Sequence, residues 1–108
     1  MEPLSPAQLA RLRADPAAPA DYVNWLATHG WGEVGDFAYM LYDGLVPLEE
    51  NAAHAPPGYL SFGDDFSGMH GCFAADGGTR VLEWDSATGE MIDSGQDFAH
   101  FMLAWLAK

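Results

Sequence analysis

The sequence predicts an α+β domain: N-terminal helices, a largely antiparallel sheet of about five strands, and a C-terminal helix packed on that sheet. Three observations carry this. Residues at helical spacing occur near both ends, at Tyr22, Trp25, Leu26 and His29 and again at Phe98, Phe101, Met102 and Trp105. Between them, short aromatic and aliphatic runs alternate with Asp-Gly, Gly-Asp-Asp and Asp-Gly-Gly turns. Turns this short cannot make parallel crossovers, so neighbouring strands must run antiparallel. A chain of 108 residues supports one core, and the whole length 1–108 is read as a single domain.

The elements follow in order. Ser5 is a good N-cap and Pro6 suits the first helical position, which starts a short helix with Leu9 and Leu12 on one face. Pro16 and Pro19 end it. A second helix spans 20–29, with Asp21 in the first turn, where the helix dipole favours negative charge. Gly30 is placed to end it in a positive-φ conformation. Strands are expected at 37–42, stopped by Asp43-Gly44, and at 45–48, where Pro47 confines the strand to an edge or ends it early. Residues 49–57 read as a loop. Further strands are expected at 59–62, 71–75 and 80–84, the last with Val81 and Glu83 on one face and Leu82 and Trp84 on the other. Ser94 is the expected cap of the final helix, with Asp97 three residues on and Leu106 widening its apolar stripe.

Composition narrows the function. Hydrophobic residues make up 49% and aromatic residues 13%, so the chain has the apolar content of a folded domain. Sixteen Asp and Glu stand against four Lys and Arg, a formal net charge of −12. That charge opposes direct nucleic-acid binding, which needs cations to displace counterions from phosphates. It opposes docking on anionic membranes for the same reason. The first residues carry no basic segment and apolar run of a secretory signal, and the longest apolar run, 101–107, is far too short to span a bilayer. The expectation is a soluble, cytoplasmic protein.

Searches for reaction chemistry return little. His29, His54, His70 and His100 are scattered without metal-ligand spacing, and Asp64, Asp65 and Asp76 lack the spacing of a calcium loop. The single Cys72 sits in an apolar strand, the setting of an inert packing thiol. No serine lies in a nucleophile elbow, and no glycine-rich phosphate cradle occurs. No metal and no cofactor is expected. A small metal-dependent hydrolase built from His54, His70 and nearby acids is a further alternative.

The order of the segments carries a resemblance. The stretch 18–30, with Pro19, Asp21, Tyr22, Trp25, Leu26 and Gly30, resembles the opening L-P-x-D-Y-x-x-F-L motif of the SMI1/KNR4 family, also called the SUKH superfamily. The stretches 43–48, 59–65 and 71–76 are similar to its central strands, 81–85 to its V-x-x-W-D strand, and 94–106 to its closing helix. Ala18 and His29 depart from the family's usual Leu and Asn. The resemblance implies a non-enzymatic protein-binding domain, in bacteria commonly an immunity protein that binds and neutralises a toxin, often a nuclease. A stand-alone regulatory or scaffold domain of the same fold is the alternative. A nuclease exposes a basic groove, and an acidic partner can cover it. Glu49, Glu50, Asp64 and Asp65, expected in exposed loops or turns, are the candidate partner contacts. Trp31, between two glycines, is either an aromatic anchor or a lid on the core. Solubility alone, or adaptation to high salt, also accounts for an acidic surface.

Overall fold

The computed structural model describes residues 2–36 and 39–107. Helices α1 (Pro6–Ala14) and α2 (Ala20–His29) come first. Strands β1 (Gly32–Val34) and β2 (Tyr39–Pro47) follow, then the one-turn helix α3 (Leu48–Asn51). Strands β3 (Tyr59–Asp64), β4 (Met69–Ala74), β5 (Arg80–Asp85) and β6 (Glu90–Asp97) lead into helix α4 (Phe98–Leu106). The six strands form one sheet in sequence order, and every pairing is antiparallel. The predicted α+β class is therefore the observed one, with six strands instead of about five.

Local chemistry sets the helix ends. Ser5 and Gln8 form a reciprocal capping box: the Gln8 N–H donates to Ser5 Oγ at 3.1 Å, and the Ser5 N–H to Gln8 Oε1 at 2.8 Å. Asp21 serves two helices. Its Oδ1 accepts the Tyr22 N–H at 2.8 Å, and its Oδ2 accepts the Ala99 N–H in the first turn of α4 at 3.1 Å. The α4 cap is Asp97, which accepts the His100 N–H at 2.9 Å. Ser94, the predicted cap, belongs to β6 and donates its hydroxyl to the Val81 carbonyl at 2.7 Å.

Three further expectations are corrected. Asp43-Gly44 does not close a hairpin. It lies inside β2, and the two predicted strands merge around a bulge between Leu41, opposite Gly63, and Val46, opposite Ser61. Phe37 and Ala38 of the predicted 37–42 strand lie outside the described residues. The loop expected at 49–57 begins as α3, anchored by the fully buried Leu48. Leu106 does not widen the buried stripe of α4; it is 47% exposed.

The sheet has two unlike faces. On one, α1, α2 and α4 close an aromatic core in which Phe98 meets Tyr22 and Phe62 edge-on, each at 5.1 Å between ring centres. Phe62 also packs on Phe73 at 5.0 Å. Each buried ring of this kind stabilises by roughly 1.5–3 kcal/mol. Two glycines make room for the rings. A methyl on Gly71 would overlap the Tyr39 hydroxyl and the Phe62 ring, and one on Gly63 would overlap the Met40 carbonyl and lie 2.8 Å from the Tyr39 ring. The opposite face holds a smaller cluster of Leu48, Ala52, Cys72 and Trp84. Val81 joins the aromatic core and Trp84 the smaller cluster, as the alternation in β5 predicts.

Candidate functional site

Residues directly opposite across antiparallel strands share a face. The register therefore draws one row across the whole sheet on the side away from the large helices: Glu33, Met40, Asp64, His70, Trp84 and Met91. The short α3 covers only part of this side. At the β1–β2 end lies an open hollow of about 310 Å³, lined by Trp31, Met40, Tyr42, Asp43, Val46 and Asn51.

Trp31 reaches this hollow because its backbone is clamped. The N–H of Trp31 donates to the Glu2 carbonyl, and the Glu2 N–H to the Trp31 carbonyl, both at 2.8 Å. Gly30 makes the clamp possible: its φ is +81° and a side chain there would strike the Glu2 backbone. The Trp31 ring is half-buried, packs against the aromatic core and also walls the hollow. The ring therefore lies as a lid against the core, and its outer part borders the hollow.

Tyr42 organises the floor. Its hydroxyl donates to Asp64 Oδ2 at 2.6 Å and accepts from Asn51 Nδ2 at 2.7 Å. Partial burial, and then the Asp64 contact, push that hydroxyl up to about 12. The network links β2, β3 and α3 and fixes the Tyr42 ring. Asp43 Oδ2 accepts from Gln8 Nε2 at 3.1 Å, which ties α1 to the same region.

The predicted contact residues divide. Glu49 and Glu50 are exposed, but they occupy the first turn of a helix and not a loop; Asn51 of that helix lines the hollow. Asp64 and Asp65 are half-buried and not freely exposed. Asp64 Oδ1 accepts the Phe66 N–H at 2.9 Å, and Asp65 Oδ1 accepts the N–H groups of Ser67 at 2.9 Å and Met69 at 3.0 Å. These carboxylates build the β3–β4 turn, holding Phe66 at φ +66° with its ring 51% exposed. The structure thus brings Trp31, Asp64 and the α3 acids to one end of the sheet, and Asp65 acts in the neighbouring turn. The sequence alone does not mark Tyr42, Asn51 or Phe66 as part of a site. The period-2 alternation in β2 marks Tyr42 as facing away from Tyr39 and Leu41, but no local pattern pairs it with Asn51.

The acidic excess is on the surface: ten of the sixteen carboxylates are exposed and six half-buried. Arg80 pairs with Asp93 at 3.1 Å, and His100 with Asp97 at 2.7 Å. Among the described residues no group of three or more His, Cys, Asp or Glu could hold a metal ion, and no helix is long and apolar enough to cross a membrane. His54 is exposed beyond α3, while His70 stands in β4 between Asp64 and Trp84. No protein-family model, curated protein or solved structure matches this chain.

Proposed function

We propose that this chain is a non-enzymatic protein-binding domain of the SMI1/KNR4 type, an immunity protein that neutralises a basic toxin domain in the cytoplasm by covering it. The observation that supports this is the placement of the charge. The −12 excess stands largely on exposed carboxylates, while the buried apolar side chains gather in two clusters on either side of the sheet and Phe66, Ile92, Leu103 and Leu106 are left exposed. A surface of this kind attracts a cationic partner over a distance of nanometres at low salt and speeds encounter. Specificity then comes from shaped apolar and hydrogen-bonding features, and the Trp31 hollow and the Phe66 turn are such features. Neutralisation requires only that the partner's cationic groove be occupied, so no covalent step is invoked. A nuclease, whose groove must bind phosphates, is the partner class with the matching chemistry.

The test uses the intact chain immobilised on a resin at low salt, with retained proteins identified and each then expressed in cells with and without this chain. The expected result is a retained basic protein whose toxicity disappears on co-expression. Retention of no basic protein, or toxicity unchanged by co-expression, overturns the reading.

A further inference from the structure

We propose that the hollow beside Trp31 is a receptor for an arginine side chain presented by the protein partner. This rests on the reading of the acidic surface as a protein-binding one. An arginine has an apolar stem and a flat, permanently charged head with donors in a fixed plane. It is best held where apolar wall, aromatic ring and fixed acceptors meet. The hollow offers Met40 and Val46 as apolar wall and Trp31 and Tyr42 as rings, with Asp43 at its rim, where one carboxylate oxygen already accepts from Gln8 of α1. Asn51 adds an amide whose Nδ2 is engaged by Tyr42, which leaves its carbonyl oxygen as the acceptor.

The site is held before any partner arrives. Tyr42 is locked between Asp64 and Asn51, Asp43 is tethered by Gln8, and the Trp31 backbone is clamped to Glu2. Fixed groups lose little freedom on binding. Among the described residues no cationic side chain lines the hollow, although Arg11 of α1 shares the adjoining recess with Asp43, and the chain's net charge of −12 complements a cation. A lysine carries the same charge, yet its compact ammonium gains less from ring faces and planar acceptors.

The experiment is a titration of isotope-labelled chain, at low salt, with hexa-arginine and hexa-lysine peptides of equal charge, followed by nuclear magnetic resonance. The expected result is saturable shifts at the Trp31 indole N–H and the Asn51 side-chain amide, with hexa-arginine about five-fold tighter. Trp31→Ala should erase that preference. Because Trp31 also packs on the core, exposed Asp43→Asn provides the second test, expected to reduce the preference without disturbing the fold. Glu90→Gln, at the far edge of the sheet, removes the same charge and should preserve it. Equal affinity for the two peptides, or a preference that survives both hollow variants, overturns the proposal. No natural partner is needed. An arginine preference in a chain that protects no cell overturns the toxin reading alone; a protective chain without the preference overturns the hollow alone.

Discussion

Gly71→Ala is the sharpest probe of the core. Gly71 has an ordinary backbone φ, so alanine is conformationally acceptable; space is what is lacking. The new methyl would lie 2.7 Å from Phe62 Cε1 and would also overlap Phe62 Cζ and the Tyr39 hydroxyl. Neither ring has room to retreat. Phe62 is fully buried and meets Phe73 at 5.0 Å, Phe98 at 5.1 Å and Phe101 at 5.9 Å. Overpacking of this kind costs about 1–3 kcal/mol, and two obstructed rings place it near the top of that range. Replacing a glycine returns roughly 0.4–1 kcal/mol through the unfolded chain. The net loss is therefore about 2 kcal/mol, a large part of the roughly 5–15 kcal/mol that holds a small domain together. Gly44 is the control, since it lies in β2 with nothing within 4 Å of an added methyl and no positive φ. Gly44→Ala should be neutral or stabilising by up to about 1 kcal/mol. Urea unfolding of both variants measures the contrast. Adding Tyr39→Phe to Gly71→Ala removes the hydroxyl overlap and should recover part of the loss, because the Phe62 overlap remains. A Gly71→Ala loss below about 0.5 kcal/mol, or equal effects at the two glycines, refutes the packing described for these rings.

Three other predictions follow from single residues. Burial pushes the Cys72 thiol up to about 12, so a thiol reagent at neutral pH should label the native chain only as fast as it opens; immediate labelling without denaturant would place Cys72 at the surface. Asp97 is held below its ordinary value of 3.8 by the His100 N–H and then the His100 ring. Its depressed folded pKa means that its stabilisation is present above that ordinary value and is lost as pH falls through the lower folded one. The gap in melting temperature between the parent and Asp97→Ala should therefore be steady at neutral pH and close in acid; a gap that widens in acid contradicts the cap. Asp65→Ala removes the acceptor of two backbone N–H groups and should loosen the β3–β4 turn, seen as faster amide exchange at Ser67 and Met69, whereas Glu49→Ala should leave exchange in that turn unchanged.

Much of the fold was legible because it rests on local rules. Ser5, Pro6 and Gly30 mark helix ends through their own backbone chemistry, and the short turns force antiparallel pairing. The misreadings lie where distant partners decide. Asp43-Gly44 is a strong hairpin signal, yet β3 pairs with residues on both sides of it, and the dipeptide becomes a bulge. Strand β1 is three residues long, too short for alternation to register, and is defined by its pairing with β2. The four residues of α3 cannot display helical periodicity; burial of Leu48 against the sheet holds them. Ser94 has the chemistry of a cap, but its hydroxyl is taken by the Val81 carbonyl on the adjacent strand. The candidate site follows the same division. Trp31 stood out between glycines and the acids by their abundance. The Tyr42–Asp64–Asn51 network joins residues from three elements, and only the folded chain brings them together.

The claim that this acidic surface neutralises a basic toxin is tested most directly on the captured protein's own activity. That activity is measured while this chain is added, at about 50 mM and about 500 mM salt. The account predicts stoichiometric loss of activity at low salt and weaker inhibition at high salt. Activity that persists with the chain in excess, or inhibition indifferent to salt, would contradict it.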